Sequence, residues 1–491
     1  MKKATQSRQA GVLLHISSLP LGVLGQNAYQ FVDFLEEVGV LIWQTLPLNM
    51  PHEGGSPYQC LSAHAGNPDF ISIQRLAEKG LVTPTDLISY FSNFSPAHKQ
   101  KLLVKAYNTF NEGGDAALHA AFKRFCHKHA GWLDDFAMFL VLRNVFDQQC
   151  WNQWPKEYKN RDSEALTQAG KQHANELGLI KFIQFVFFEQ WLELKRYANA
   201  KGVQMFGDVP IFVAYDSADV WADPHLFKLD KYCNMTVVAG VPPDYFSATG
   251  QRWGNPHYNW HAMKRDGFKW WLDRMATQNE MFDMVRIDHF RGLQAAWEIP
   301  AREETAINGK WALAPGDALL AAIRQRFPKM RLIAEDLGII TPEVNALREK
   351  HHLPGMKILQ FAFGGGDDNA YLPHHIGPES VIYTGTHDND TTLGWYQHAE
   401  GHVRQHFHAY IGTDAPKMPD ALVQVALDSR ANLAIIPMQD ILALDGTHRM
   451  NTPGTIANNW TWQFNWAQLS DERKAWFKQA VVYSGRAQAA K

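Results

Sequence analysis

Short apolar runs of the kind that form buried β-strands recur along the chain, and each is followed by a segment with helical periodicity. The eight runs are residues 11–16, 41–48, 203–209, 284–288, 331–335, 356–363, 380–386 and 433–438. Buried strands that alternate with helices indicate a parallel sheet with crossover helices. Eight is the number that closes a barrel. The predicted fold class is therefore α/β, a (β/α)8 TIM barrel, and an open doubly wound sheet is the alternative.

The spacing of these runs is uneven, which predicts insertions. The gaps between the second and third runs and between the third and fourth are too long for single crossovers. In a barrel such insertions leave at the loop-bearing, C-terminal face of the strands. The predicted division is a barrel made of residues 1–65, 175–215 and 280–455, a helical insertion 66–174, a second insertion 216–279, and a C-terminal helical segment 456–491 that packs on the barrel.

Composition excludes several classes of protein. Of the 491 residues, 46% are apolar and 20% charged, which suits a large core and excludes wholesale disorder. The net charge of -3 gives no sign of a broad nucleic-acid or anionic-membrane surface. No apolar stretch is long enough to predict a membrane span or a signal peptide.

The four cysteines are widely separated, at Cys60, Cys126, Cys150 and Cys233. They form no C-x-x-C pair, so a zinc ribbon is not indicated, and a disulfide scaffold is not expected in a chain of this size. We therefore predict free thiols and a cytoplasmic protein.

Carboxylates stand at the ends of three predicted strands. Arg286 and Asp288 share a face of the fourth strand, and an adjacent arginine is expected to lower the pKa of Asp288. Glu335 ends the fifth strand, and Asp388, beside His387, ends the seventh. Because the C-terminal ends of barrel strands line one space, these acids are predicted to converge.

Two chemistries use such a cluster. Retaining glycoside chemistry needs a carboxylate nucleophile and a carboxylic acid that donates a proton. Divalent-metal chemistry also uses Asp, Glu and His. Although His289 and His387 each adjoin an acid, neither belongs to an H-x-H pair. The sequence therefore favours glycoside chemistry over a metal site.

Aromatic residues support the same interpretation. Residues 237–260 are rich in Gly, Pro and aromatics, a composition typical of an ordered lid or binding wall. Sugars present flat apolar faces on which such rings stack. Tyr245, Phe246 and Trp253 are therefore candidate sugar platforms, although some of these rings are expected only to hold the loop on the barrel.

Seven sequence blocks carry a specific resemblance. In chain order they are residues 54–58 with 65–68, 207–213, 242–246 with 250–256, 286–292, 334–338, 386–391 and 449–455. On these blocks the chain resembles the 4-α-glucanotransferases of the amylomaltase (disproportionating enzyme) family, a branch of the α-amylase clan. One departure is Asn458, which stands where the family usually has Gly before an Asn-Trp pair. Since Asn readily replaces Gly at positive φ, the backbone is expected to be unchanged.

The resemblance implies a mechanism and a substrate class. Asp288 would attack the anomeric carbon, Glu335 would act as acid and then base, and Asp388 would bind the reacting ring. The other predicted sugar-binding residues are Ser56, Tyr58, Asp208, Asp244, Phe246, Trp253, Arg286, His387 and Asn459. The expected partners are malto-oligosaccharides, amylose or glycogen-type glucans, with glucose as an acceptor. No cofactor or metal is expected.

Two other functions stay open at this point. An α-1,4-glucan hydrolase of the α-amylase type would use the same three acids. It would differ only in that water, rather than a sugar, reaches the glycosyl-enzyme intermediate. A non-catalytic glucan-binding protein would keep the aromatic residues but would not need three acids. The presence of all three acids favours an enzyme.

Overall fold

The computed structural model describes residues 8–113, 115–244 and 247–487. Within them the β-strands are β1 (Gln9–Leu13), β2 (Ile42–Gln44), β3 (Gln204–Val209), β4 (Val237–Val241), β5 (Gln251–Pro256), β6 (Met284–Ile287), β7 (Ala295–Pro300), β8 (Lys310–Leu313), β9 (Arg331–Ala334), β10 (Gly355–Ile358), β11 (Ser380–Tyr383) and β12 (Leu433–Pro437).

The α-helices of the same residues surround these strands. They are α1 (Gln26–Glu37), α2 (Ile73–Glu78), α3 (Pro84–Ser92), α4 (Pro96–Gly113), α5 (Ala116–Val145), α6 (Lys156–Lys159), α7 (Ser163–Gln172), α8 (Ala174–Ala200), α9 (Ala218–Ala222), α10 (Trp260–Arg265), α11 (Lys269–Met281), α12 (Gly316–Arg326), α13 (Pro342–Lys350), α14 (Thr392–His398), α15 (Gly401–Ile411), α16 (Asp420–Asp428), α17 (Met438–Ile441) and α18 (Asp471–Tyr483).

Eight parallel strands form the barrel, in the order β10-β11-β12-β1-β2-β3-β6-β9. The two ends of this order meet where the Ala334 N–H donates to the Pro354 carbonyl at 2.9 Å, just before β10. All eight predicted runs supply these strands, so the predicted (β/α)8 barrel is confirmed. Most strands end before the predicted run does, because the chain leaves the sheet there to form the cleft.

The barrel interior is filled by side chains, which confines any ligand to one end. Ile42, Phe206, Met284, Ile333 and Ile435 are buried together inside the sheet. Such packed layers are usual in barrels of this type. The open space therefore lies beyond the C-terminal ends of the strands.

The insertion between β2 and β3 is helical, as the sequence predicts, and contains α2 to α7. Helix α7 ends at Gln172 and α8 begins at Ala174, so only His173 separates the last helix of this insertion from the long helix that leads into β3. Among the described residues, no helix combines the length and apolarity needed to cross a bilayer. The division of the chain into domains stays a prediction.

A second, antiparallel sheet was not predicted. Its order is β5-β4-β7-β8, so it joins the segment before β6 to the segment after it. Residues 237–260 are therefore largely a β-hairpin rather than an irregular loop. The hairpin requires glycine at Gly240, where a Cβ would lie 2.1 Å from the Gln251 carbonyl oxygen. Glycine and proline conceal the alternation that would reveal strands.

Among the described residues of the C-terminal segment the one α-helix is α18, which contacts α16 and α17. Beyond it, the buried Arg486 guanidinium donates to the carbonyls of Gln9, Leu427, Ser429 and Ala431. These bonds join the end of the described chain to the start of β1. Residues 449–465 contain no regular element and cover one side of the cleft instead.

Candidate active site

A cleft of about 540 Å3 opens at the C-terminal ends of the barrel strands. The predicted site residues that line it are Ser56, Tyr58, Asp244, Trp253, Arg286, Asp288, Glu335, His387 and Asp388. They come from β6 and the residue after it, from the segments that follow β2, β9 and β11, and from the β4–β5 hairpin. The expected convergence of the three acids is therefore present in the geometry.

A buried arginine organises the floor of the cleft. Arg286 lies on β6 opposite Asp208 of β3, and its Nε and Nη2 donate to the two Asp208 oxygens at 3.0 and 2.9 Å. The Tyr58 hydroxyl donates to Asp208 at 2.6 Å. Such a bidentate pair is geometrically specific, because both groups are planar and forked. The network fixes the direction of Arg286.

Asp288 accepts a further hydrogen bond from the same guanidinium group. Arg286 Nη2 donates to Asp288 Oδ1 at 2.7 Å, and the Asp288 side chain is 29% exposed. The expected lowering of its pKa by Arg286 is present but is outweighed. Burial, together with the carboxylates of Asp208 and Asp388, raises the pKa of Asp288 to about 6. Asp288 is thus mostly ionised at neutral pH.

Glu335 is held by two backbone N–H groups. His289 donates to Oε2 at 2.7 Å and Leu337 donates to Oε1 at 2.9 Å. His289 adopts a left-handed conformation with φ of 50°, a conformation that non-glycine residues rarely adopt. Burial, with the neighbouring charge of Asp288, raises the pKa of Glu335 to about 8, although both N–H groups oppose this shift.

Asp388 lies in a different environment from the other two acids. Its half-exposed side chain accepts from Asn451 Nδ2 at 2.6 Å and lies 3.3 Å from His387 Nε2. Burial in the cleft acts to raise its pKa, but His387, Asn451 and Arg286 outweigh it and the pKa of Asp388 falls to about 2. Asp388 therefore stays ionised across the physiological range.

An aromatic group flanks Asp388. The rings of Tyr58 and His387 stack at 5.3 Å with an interplanar angle of 14°. Trp460 packs against both rings, at 6.0 and 5.9 Å. Ser56 lines the same side of the cleft. This side presents flat ring surfaces beside an ionised carboxylate.

The antiparallel sheet forms the opposite wall. Trp253 on β5 meets His289 edge to face at 4.8 Å and also contacts Phe212 at 6.5 Å. Asp244 lines the cleft at the tip of the hairpin and accepts from the Ser247 N–H at 2.8 Å. The predicted platforms Tyr245 and Phe246 lie outside the described residues.

Two of the residues that were predicted to contact sugar, Asp208 and Asn459, lie elsewhere. Asp208 is 1% exposed beneath Tyr58 and Arg286, so it supports the site from below. Asn459 caps the turn after Thr452, accepting from its N–H at 2.9 Å and donating to Thr455. The neighbouring Asn458 has φ of 62°, so it adopts the left-handed conformation in which Asn readily replaces Gly.

Asn451 and Trp460 are site residues that the sequence analysis did not select. Asn451 belongs to a matched block, 449–455, to which no role was given, although it bonds directly to Asp388. Trp460 follows Asn459 in the Asn-Trp pair. Within the described ranges, no three His, Cys, Asp or Glu side chains converge as ligands for a metal ion.

Comparison with known proteins adds independent findings. A family model described as 4-alpha-glucanotransferase matches residues 14–469. A 4-alpha-glucanotransferase of Thermus thermophilus is 45% identical over 486 residues, covering 95% of this chain and 97% of the relative. One from Streptococcus pneumoniae is 44% identical, covering 95% of each chain. The solved amylomaltase of Streptococcus agalactiae in complex with acarbose has a TM-score of 0.93 and 35% identity, covering 98% of this chain and 100% of that one.

Proposed function

Because the chain belongs to the 4-alpha-glucanotransferase family, we propose that Asp288, Glu335 and Asp388 perform its transfer of α-1,4-glucan segments by two displacements. The chain is an enzyme, and glucan transfer is its activity. The observation that supports the residue assignment best is the division of pKa values in one cleft. Asp288, at about 6, is mostly ionised at neutral pH, whereas Glu335, at about 8, is mostly protonated. A nucleophile and a proton donor need these two states.

In the first displacement, a carboxylate oxygen of Asp288 attacks the anomeric carbon of the donor. The bond from that carbon to the glycosidic oxygen breaks, and Glu335 transfers its proton to the departing oxygen. The product is a glucosyl ester on Asp288 and a shortened glucan with a free 4-hydroxyl. Arg286 stabilises the charge on Asp288 before the attack, through the 2.7 Å hydrogen bond.

In the second displacement, Glu335 acts as a base. It takes the proton from the 4-hydroxyl of an acceptor as that oxygen attacks the anomeric carbon and the ester bond breaks. Glu335 is protonated again and Asp288 is released as a carboxylate. Two inversions give net retention, and the cycle needs no cofactor.

Asp388 acts on the reacting ring in both steps. Its ionised carboxylate, held by Asn451, can accept from sugar hydroxyls and stabilise the positive charge of the oxocarbenium-like transition state. Tyr58 provides a flat surface beside it for the apolar face of the ring. Ser56 and His387 line the same part of the cleft and supply polar contacts.

The pH dependence of kcat/KM follows from the two pKa values. Activity requires ionised Asp288, so it is lost as pH falls below about 6, and it requires protonated Glu335, so it is lost as pH rises above about 8. We expect a bell with its maximum between these values when maltotriose disproportionation is measured across pH 4–10. In the Glu335→Gln variant the residual rate should lack the alkaline limb. A limb that persists in this variant would assign it to another group.

The substrates are proposed to be malto-oligosaccharides, amylose or glycogen-type glucans, with glucose as an acceptor. The acarbose complex of the amylomaltase relative supports this class. Action in the cytoplasm is proposed on the ground that all four cysteines are free. An α-1,4-glucan hydrolase would use the same acids but would pass the glucosyl ester to water.

One assay separates transfer from hydrolysis. The purified protein is incubated with maltotriose, and the products are separated by chain length. Longer oligosaccharides together with glucose indicate transfer. Glucose and maltose alone would indicate hydrolysis and would contradict the proposed use of a sugar acceptor.

Trp253 is expected to determine how much of the glucosyl ester is transferred to a sugar acceptor and how much is hydrolysed by water. It lies against His289, whose N–H holds Glu335, so it stands on the side from which the acceptor must approach. A stacked ring contributes about 0.5–1.5 kcal/mol, so Trp253→Ala should weaken acceptor use by about tenfold at most. Free glucose released is measured against glucan transferred, and the hydrolysed share should rise.

Trp253→Phe, which keeps a ring, is the matched control and should largely preserve the ratio. An unchanged ratio with a lowered melting temperature in Trp253→Ala would make Trp253 an anchor of the hairpin instead.

A further inference from the structure

One end of the catalytic cleft is lined by exposed apolar side chains that the proposed mechanism does not use. Trp311 on β8 and Ile339 in the segment after β9 both line the cleft, and they are 39% and 48% exposed. Arg291 lines the same end beneath Trp311. Exposed apolar side chains that border a ligand-binding cleft are typical of a contact surface for the ligand. We call Arg291, Trp311 and Ile339 the outer wall.

Two chain segments connect the catalytic acids to the outer wall. β6 and β9 are neighbouring parallel strands, and Asp288 and Glu335 stand just beyond their ends. Past these acids, the Phe290 N–H donates to the Glu335 carbonyl at 3.1 Å. Farther along, Arg291 Nη1 donates to the Ile339 carbonyl at 2.7 Å. These hydrogen bonds hold the two segments together, so the outer wall has a fixed position relative to Glu335.

The outer wall stands on the acceptor side of the reacting bond. Asp388, after β11, is assigned to the reacting ring, whereas Glu335 must reach the oxygen that leaves this ring or attacks it. A glucan on the far side of that oxygen is the departing segment in the first displacement and the acceptor in the second. Its first glucose unit lies beside Glu335, and its later units continue along the segments that lead to Arg291 and Trp311.

Trp311 is held in one orientation by its neighbours. The central carbon of the Arg291 guanidinium lies 3.6 Å from the centre of the Trp311 ring, in a cation–π contact. Trp297 meets the same ring edge to face at 5.1 Å. Arg291 itself is 5% exposed and is fixed by its bond to the Ile339 carbonyl. A partly exposed, immobilised tryptophan offers a stacking surface for a sugar at little cost in conformational entropy.

We propose that Trp311 sets the preference for acceptor length, by stacking on a glucose unit of the acceptor beyond the one that reacts. This inference rests on the proposed transfer mechanism. A malto-oligosaccharide acceptor extends from Glu335 to the outer wall and gains the contact with Trp311. Free glucose is a single unit, so it occupies only the position beside Glu335 and gains nothing from this ring. Malto-oligosaccharides are therefore the better acceptors.

The test keeps the donor constant and varies the acceptor. The donor is an α-maltosyl fluoride that lacks the 4-hydroxyl of its non-reducing unit, so it cannot act as an acceptor, and its fluoride does not extend to Trp311. The donor is kept saturating, and fluoride release is followed as glucose or maltotriose is added. For Trp311→Ala we expect the acceptor KM of maltotriose to rise by about threefold to tenfold. The acceptor KM of glucose should stay at the wild-type value.

Two further variants are the controls. Trp311→Tyr keeps a ring and should retain most of the preference for maltotriose over glucose. Leu313 lies two residues along β8, on the same face of the strand as Trp311, and is 78% exposed. It is not one of the described residues that line the cleft, so Leu313→Ala should behave as wild type with both acceptors.

The competing interpretation is that Trp311 only supports Arg291, whose buried Nε has no hydrogen-bond partner among the described residues. Trp311→Ala would then disturb the segment that carries Glu335, and it would impair glucose and maltotriose equally and shift the alkaline limb of the pH profile. That result would overturn the proposal, as would wild-type use of both acceptors by Trp311→Ala. If the wild-type enzyme releases fluoride but transfers the sugar to neither acceptor, the proposed transfer function fails instead.

Discussion

Replacing Asp288 by Asn is expected to lower kcat for maltotriose disproportionation by about 10^4-fold or more, with the fold intact. The amide has nearly the same shape but cannot form the glucosyl ester, so the two-step route is closed. Arg286 would also lose its ionic partner at 2.7 Å, yet Asp208 still binds it through two hydrogen bonds. Transfer is measured as glucose released under saturating maltotriose.

The control for this variant is its stability. Asp288 is 29% exposed at the cleft, and no strand or helix depends on its side chain, so the melting temperature should stay within a few degrees of wild type. Near-normal disproportionation by a correctly folded Asp288→Asn protein would show that another group forms the intermediate.

Replacing Glu335 by Gln should separate the two roles assigned to that residue. Glucans need a proton on the departing oxygen, so their turnover should fall by about 10^2–10^4-fold. α-Maltosyl fluoride needs no proton, because fluoride departs unaided. We therefore expect a burst of fluoride equal to the enzyme concentration, at a rate near that of wild type. Slow turnover should follow, since the second displacement still lacks its base.

The comparison of the two substrates decides this assignment. Glu335→Asp is the matched variant, because its shorter side chain keeps a carboxyl group but places it farther from the substrate. It should retain part of the glucan activity that Glu335→Gln loses. Equal losses for maltotriose and for the fluoride would remove Glu335 from the role of proton donor. The group would then be required for binding or for the position of the His289 backbone.

The barrel could be predicted because its strands are buried on both faces and so appear as continuous apolar runs. β12 is such a run, and the acids that follow β6 and β9, Asp288 and Glu335, mark the point where the chain enters the cleft. The antiparallel sheet carries no such signal. β8 is mostly exposed, and β4 pairs with β7 across the whole of α10, α11 and β6. Pairing of this kind depends on tertiary contacts that no local pattern records.

The sequence indicated the three acids of the candidate site, but it indicated the residues around them less well. Sequence places Arg286 beside Asp288, but it does not reveal the burial that raises the pKa of Asp288. It also cannot distinguish a residue that contacts a ligand from one that supports the backbone. Asn459 and Asp208 are therefore found in supporting positions, and Asn451, within a matched block, is found at the centre.

The most direct test is to trap the glucosyl ester and identify the residue that carries it. The enzyme is incubated with a 5-fluoro-α-glucosyl fluoride, which forms the ester faster than it is removed, then quenched in acid, digested and analysed by mass spectrometry. We predict one added sugar on the peptide that contains Asp288, with fragment ions that place it on that side chain. A sugar on Glu335, on Asp388 or on any other residue would contradict the proposed mechanism. Continued release of fluoride by the enzyme without any sugar adduct would contradict it as well.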